Sequence, residues 1–206
     1  MKNATKHADE LKSLLKKLLK EEKPADKQVY EPLRALVRAA MSYDVTDARA
    51  EEAMKVIEHE FVDLNELRVA TELEIQEMLG QRYPDIEKRV AMFTQSLNFI
   101  FEKEGTLSLD RLKTISKRDA RQFLRELPGM HPFVEAYVLL YSFDGHAVPV
   151  DNEILEFLIG KEIVEEGTTI DELQRFVEHH VKADECHNLF LSLRRAASEG
   201  EKKRKK

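Results

Sequence analysis

Apolar residues recur every three or four positions along most of the chain, and this spacing constrains the fold more than any other feature. Near the N-terminus, a stripe that starts at Leu11 and includes Leu15 and Leu19 ends before Pro24, as an amphipathic helix would. No segment shows convincing alternation of apolar and polar residues with a period of two, the mark of a half-buried strand. The sequence therefore predicts an all-α fold.

Capping and turn residues place the boundaries of the other helices. Asp47 can cap a third helix, Pro84 opens a long helix, and Gly105 stops it. The predicted helices after the first occupy roughly residues 30–41, 47–61, 71–80, 84–105, 107–114, 117–126, 132–143, 151–160, 168–181 and 184–198. The basic segment 201–206 is expected to be a solvated tail.

Composition and charge exclude several classes of protein. The 206 residues are 42% hydrophobic and 35% charged, which is enough apolar material for a core and excludes a wholly disordered chain. A net charge of -6 argues against a protein that coats nucleic acid without sequence preference. Residues 1–30, 111–133 and 194–206 are nevertheless each net positive, so a local site for a polyanion stays open.

The cysteine count and the hydropathy pattern bear on disulfide bonding, membrane contact and cellular compartment. Cys186 is the single cysteine, so it cannot form an internal disulfide. No stretch approaches the roughly 20 apolar residues that span a bilayer, and the first residues lack the apolar segment of a secretory signal. We therefore expect a cytoplasmic protein with no membrane contact, and a monomer.

A short basic helix and a tight turn form a candidate helix-hairpin-helix. The basic helix carries Arg118, Arg121 and Arg125, the turn is Pro128-Gly129-Met130-His131, and an apolar helix starts at Pro132. Such a turn can aim backbone N–H groups from the start of the second helix at a phosphate of DNA. The alternative is an ordinary helical hairpin, because Pro-Gly turns between helices are common.

The segment after the hairpin sharpens this interpretation. Residues 145–150 form a Gly- and Pro-containing loop that leads directly into Asp151 at the head of the next helix. A helix-hairpin-helix followed by such a loop and an aspartate resembles the endonuclease III superfamily of DNA glycosylases. Weaker likeness covers about residues 8–197. The segment from Ala40 to Val45 resembles the family's early DNA-contacting loop, Gly80 with Tyr83 and Lys88 resembles its middle, and His187 with Leu189, Leu191 and Arg194 resembles its last helix.

The resemblance implies a two-domain helix-hairpin-helix DNA glycosylase fold with double-stranded DNA as the partner. The six-helix barrel would span residues 28–149, and the second domain would combine residues 1–27 with residues 150–206, including the basic tail. The family acid corresponds to Asp151, which would stabilise positive charge on the sugar or activate water or an amine. Catalysis on a base also requires that the nucleotide be flipped out of the duplex. The alternative role of Asp151 is a helix N-cap, and both roles can hold together.

Four positions depart from the family pattern. Phe133 stands where bifunctional members carry the Schiff-base lysine, so lyase activity by that route is not expected. His131 replaces the second glycine of the turn, and its imidazole could touch the phosphate instead. The first cluster cysteine would fall near Ala197 and no cysteine follows Cys186, so no iron–sulfur cluster is expected. Met41 corresponds to the glutamine that fills the base stack, with burial in its helix stripe as the alternative.

The sequence favours a monofunctional base-excision glycosylase that acts through Asp151 and needs no cofactor. Two other hypotheses stay open: a catalytically silent helix-hairpin-helix module that binds DNA or a protein, and a helical protein-interaction domain without DNA affinity. An open pocket beside Asp151 would favour the enzyme, and a filled cleft would favour the others. No metal site is expected, because the spacing of the candidate zinc ligands matches no standard pattern. Those candidates are His179, His180, Cys186 and His187.

Overall fold

The computed structural model describes residues 4–21 and 26–204, and within these ranges the chain is helical, without strands. The predicted helix end at Pro24 lies outside the described residues. The helices are α1 (Ala4–Glu21), α2 (Pro32–Ala40), α3 (Asp47–Glu60), α4 (Leu64–Val69), α5 (Glu72–Leu79), α6 (Ile86–Glu104), α7 (Lys117–Arg125), α8 (Pro132–Ser142), α9 (Asn152–Ile159), α10 (Ile170–His179) and α11 (Cys186–Arg204). The all-α prediction is confirmed, and no helix among the described residues is long and apolar enough to cross a membrane.

Several helix boundaries differ from their predictions for local reasons. The hydroxyl of Thr46 caps α3 by accepting from the backbone N–H of Arg49, so Asp47 is the first helical residue and not the cap. The long helix begins two residues after Pro84, behind Asp85 in a left-handed conformation. Residues 107–114 hold only a 3₁₀ turn, and the short helix α4 was not predicted. α11 runs on to Arg204, into the segment that was expected to be a tail.

The helices pack into two groups that meet at α8. In the first group α2 packs against α6 and α8, α7 packs against α8, and α4 and α5 pack against α6. In the second group α11 packs against α1 and α9, and α10 packs against α9. Every residue from Phe133 to Tyr141 is buried, which makes α8 the central helix of the first group. The grouping is compatible with two domains, whose boundaries at residues 28 and 150 stay a prediction.

A buried network of charges joins the two groups through α7, α8 and α10. The guanidinium of Arg121 bonds to the carboxylate of Glu135 and, in bidentate fashion at 2.9 and 2.7 Å, to that of Glu178. Arg125 adds a bond of 2.7 Å to Glu135, and Glu178 also accepts from the backbone N–H of Val148. Both carboxylates are buried, so their charges depend on these arginines. The structure therefore gives Arg121 and Arg125 partners within the protein, and their predicted contact with DNA stays a prediction.

Replacing Arg121 should strongly destabilise the fold. Arg121→Ala leaves Glu135 and Glu178 as buried charges without their main partner, and we expect a loss of about 3 kcal/mol or more in the free energy of unfolding. The control is Arg118→Ala, an exposed residue of the same helix, which should stay within about 0.5 kcal/mol of the wild type. Urea unfolding measures both variants. Equal stabilities of the two variants would contradict the structural role of the network.

Candidate functional site

The turn between α7 and α8 requires glycine at one position. Gly129 adopts a φ of +64°, in the left-handed region that residues with a Cβ atom disfavour. A Cβ at this position would contact the side chain of Met92 at 3.7 Å, so conformation, more than space, selects glycine. Gly129 is exposed, and the turn leads into Pro132, the first residue of α8. The local geometry is that of the predicted hairpin.

His131 fits its position in the turn without backbone strain, and its imidazole changes the hydrogen-bonding groups that the turn offers. Its φ of −85° is ordinary for any residue, so the second turn position needs no glycine. Its Nδ1 accepts the backbone N–H of Phe133 at 3.2 Å, so a neutral ring carries its proton on Nε2. Burial lowers the pKa of His131, and the nearby charge of Arg89 lowers it further. One N–H at the start of α8 is thus capped by imidazole, and the free Nε2–H becomes an additional donor.

The loop of residues 41–46, which joins α2 to α3, is held from the side of the first helix group by Arg89. This fully buried guanidinium donates to the backbone oxygens of Ala40 at 2.7 Å, Tyr43 at 2.8 Å and Pro84 at 2.7 Å. The hydroxyl of Tyr83 donates to the oxygen of Met41 at 2.5 Å. These bonds satisfy carbonyl groups that the end of α2 leaves without helical partners.

Arg194 holds the same loop from the side of the second helix group. Its guanidinium, on α11, donates to the backbone oxygens of Ser42 at 2.9 Å and Val45 at 2.7 Å. It pairs with the carboxylate of Asp47 at 2.8 Å, and its Nη1 lies 3.9 Å from Oδ2 of Asp151. One arginine therefore connects the loop to the residue predicted to be catalytic.

Asp151 lies at the start of α9 with both carboxylate oxygens engaged. Oδ1 accepts the backbone N–H of Ile154 at 3.1 Å, the bond of a helix N-cap. Oδ2 accepts the backbone N–H of Asp44 at 3.2 Å. Only 2% of Asp151 is exposed, and this burial raises the pKa of its carboxyl, although the charge of Arg194 opposes the shift. The predicted N-cap is present, and the acid is closed off from solvent.

The 41–46 loop brings Asp151 and the hairpin turn into one site. The ring of Tyr43 stacks on that of His131, with centroids 4.3 Å apart and planes within 3°. The next residue, Asp44, contacts Asp151 and also accepts from Asn152. Asp44, Asn152 and Tyr43 were not singled out from the sequence. The predicted loop was the only signal that could have pointed to Tyr43 and Asp44.

The remaining predicted site residues lie elsewhere or in other surroundings. Met41 is fully buried, so its side chain lies in the core in this structure. This is the alternative given for Met41 from the sequence, in which it belongs to the apolar stripe of its helix. Phe133 is fully buried too and packs near the rings of Tyr43 and Phe190. Arg118 is exposed on α7. Of the predicted set, the structure brings Gly129, His131 and Asp151 together through the loop.

The residues present do not fit the iron–sulfur cluster of many family members. Cys186 is the only cysteine of the chain, and its buried Sγ bonds to the backbone oxygen of Lys182. Burial raises the pKa of this thiol to about 12, whereas a ligand to iron must be a thiolate. Among the described residues there is also no group of three or more metal-ligating side chains.

Comparison with known proteins assigns the fold. No family profile and no curated protein sequence matches the chain. Among solved structures, the 8-oxoguanine glycosylase/lyase of Clostridium acetobutylicum in complex with double-stranded DNA is similar at a TM-score of 0.73 and 16% identity, covering 97% of this chain and 71% of that one. A trapped endonuclease III–DNA covalent intermediate has a TM-score of 0.69 at 12% identity, covering 90% and 84%.

A third similar structure is the 3-methyladenine DNA glycosylase of H. pylori bound to 1,N6-ethenoadenine. Its TM-score is 0.68 at 15% identity, and the match covers 93% of this chain and 98% of that chain. Identities of this size carry the architecture and leave the activity to be argued from the site. The likeness extends over nearly the whole chain in each case, so it includes both helix groups and the hairpin. The chain has the two-domain, all-α fold of the endonuclease III-like helix-hairpin-helix DNA glycosylases.

Proposed function

We propose that this protein is a monofunctional DNA N-glycosylase that binds double-stranded DNA through its hairpin turn and excises a base through Asp151. The observation that carries the proposal is the 41–46 loop, which contacts the phosphate-binding turn through Tyr43 and the acid through Asp44. A loop that touches both groups supports the proposal that they serve one DNA site. The similarity in fold to DNA glycosylases supports the same function.

The hairpin turn supplies donors for a backbone phosphate. The start of α8 carries the positive end of the helix dipole, which favours an anion. The Nε2–H of His131 adds a donor that a glycine at this position would lack. Arg118, exposed on α7, is proposed as a further contact with the phosphate backbone. These contacts would fix the register of the protein on the duplex and carry no sequence information.

Asp151 supplies the chemistry in this proposal. As departure of the base leaves positive charge on the sugar, a carboxylate held beside it stabilises that charge or activates the attacking water. Phe133 has no amine and cannot form the covalent intermediate of a lyase, so water is the nucleophile. Asp151 must be ionised for either role. Burial raises the pKa of Asp151. As the pH is lowered, we therefore expect the excision rate to begin to fall at a higher pH than it would with an aspartate of ordinary pKa.

A second candidate function is a silent DNA-binding module, and one observation favours it. Asp151 is 2% exposed, and its oxygens are taken by Ile154 and Asp44 in the free protein. An acid that stays closed off would be only a helix cap. The two candidates share the hairpin and differ in whether Asp151 meets the sugar.

Replacing Asp151 separates catalysis from capping. Asn caps helices about as well as Asp, so Asp151→Asn should keep the fold and most of the DNA affinity. It should lower base excision by about 100-fold or more, because the charge that acts in the transition state is gone. Single-turnover excision from a panel of lesion-containing duplexes, with abasic sites as the readout, measures the rate.

The matched control is Asp144→Asn, which removes an exposed carboxylate that pairs with Lys27 and does not contact Asp151. Its excision rate should equal that of the wild type. If wild type and Asp151→Asn release bases at the same rate, including a rate of zero, catalysis through Asp151 fails. The silent module then becomes the better account.

DNA binding should raise the pKa of His131. A phosphate near the ring favours the imidazolium, which burial disfavours in the free protein. DNA affinity should therefore increase as the pH falls through the pKa of the complex. An NMR titration of the imidazole with and without duplex DNA measures the shift. The control is His187, whose pKa burial also lowers and whose ring packs on Tyr141, away from the turn. No change at His131, or equal changes at both rings, would contradict a phosphate at the turn.

A further inference from the structure

We propose that Asp44 is a positioning residue for Asp151: together with Asn152 it forms a latch that covers the acid in the free protein and opens when DNA binds. The inference rests on the proposed function, since only an acid that meets DNA needs to be uncovered. The contacts that make the latch connect two segments more than 100 residues apart in sequence. None of these contacts involves a residue predicted as catalytic other than Asp151 itself.

The latch consists of three hydrogen bonds: Asp44 donates one to Asp151 and accepts two from Asn152. The backbone N–H of Asp44 donates to Oδ2 of Asp151 at 3.2 Å. In return, the carboxylate of Asp44 accepts the backbone N–H of Asn152 at 2.8 Å and its side-chain Nδ2 at 2.6 Å. Bonds to an ionised acceptor are shorter and stronger than neutral ones. Asp44 thereby covers Asp151 with its backbone and fastens itself with its side chain.

The side chains of the latch are the accessible part of a loop that is otherwise held in place. The carbonyl of Tyr43 is fixed by the buried Arg89, and those of Ser42 and Val45 are fixed by the half-buried Arg194. Asp44, in contrast, is partly exposed, and Asn152 is exposed. The N–H of Asp44 belongs to the same planar peptide unit as the oxygen of Tyr43. Uncovering Oδ2 of Asp151 therefore turns this peptide and releases its bond to Arg89, while the two bonds from Arg194 stay in place.

The backbone of Asp44 favours opening. Its φ of +52° lies in the left-handed region, which residues with a Cβ atom disfavour. The two bonds from Asn152 offset this cost in the closed form. When those bonds are lost, the bond to Asp151 is the hydrogen bond that remains to hold this conformation among those described for Asp44.

Charge links the latch to the hairpin turn. Tyr43, the neighbour of Asp44 in the chain, stacks on His131, so the carboxylate of Asp44 lies near the turn as well as near the acid. The charge of Asp44 adds to the raised pKa of Asp151 and opposes the lowering of the pKa of His131 by burial. A phosphate bound at the turn places a second negative charge near that carboxylate. Repulsion between the two charges disfavours the closed form. DNA that occupies the proposed phosphate site therefore opens the latch.

The first test measures the exposure of Asp151 without DNA and without activity. Carbodiimide-driven labelling of carboxylates with an amine, mapped by mass spectrometry, reports whether Asp151 is accessible. We expect slow labelling in the wild type and labelling about fivefold or more faster in Asp44→Ala and Asn152→Ala, as the covered population falls. The control Asp144→Ala loses an aspartate with a similar φ of +50° outside the latch, and should label Asp151 like the wild type. Thermal unfolding confirms that each variant is folded.

The second test measures affinity for a duplex that contains a tetrahydrofuran abasic analogue. If opening is part of binding, both latch variants should bind about fivefold tighter, because they no longer spend binding energy on opening. Asn152→Ala changes no charge, so tighter binding by this variant is not an effect of removing a negative charge. Asp144→Ala should show the wild-type affinity.

The outcomes separate the latch from the proposed function. Fast labelling of Asp151 in the wild type, or equal labelling in folded latch variants and wild type, overturns the latch. Unchanged or weaker binding by folded latch variants overturns its coupling to DNA. If the labelling pattern is as expected but no variant excises a base from any lesion duplex, the latch stands and the proposed catalysis fails.

Discussion

Two arginines hold the 41–46 loop from opposite sides, and the rest of the site depends on this arrangement. Arg89, on α6, is fully buried and satisfies its charge with backbone oxygens and with the ring of Tyr43, whose centroid lies 3.7 Å from the guanidinium carbon. Arg194, on α11, takes two further oxygens of the loop. A buried guanidinium without these acceptors would be very costly, so the loop and the arginines fix one another. The loop in turn sets Tyr43 against His131 and Asp44 against Asp151.

The substitution of histidine in the hairpin turn illustrates how a site can keep its geometry and change its donors. Gly129 retains the left-handed conformation that the turn requires, whereas the position of His131 requires no special conformation. The imidazole caps one N–H of α8 and offers Nε2–H in exchange. A phosphate at this turn would meet a titratable group, which makes binding depend on pH in a way that a glycine turn does not.

Sequence patterns predicted the helices, turns and caps that depend on neighbouring residues. The features that they missed depend on contacts between residues far apart in the sequence. The helix that starts at Pro132, the glycine at 129 and the N-cap at Asp151 all follow from residues within one turn of the helix. A shared basic helix predicted a DNA contact for Arg121 and Arg125, which stays a prediction, whereas their partners Glu135 and Glu178 on other helices could not be predicted from local sequence. Asp44 and Arg194 lie in segments that resemble the family, but their contacts span more than 100 residues, so the sequence did not show what they hold in place.

The most direct test of the account is a structure of the protein bound to a duplex with a tetrahydrofuran abasic analogue. The account predicts a backbone phosphate at the turn beside His131 and the sugar of the analogue within about 3.5 Å of the carboxylate of Asp151, with Asp44 turned away. DNA bound across another surface, or a sugar remote from Asp151 while Asp44 still covers it, would contradict the claim that the hairpin and Asp151 serve one site.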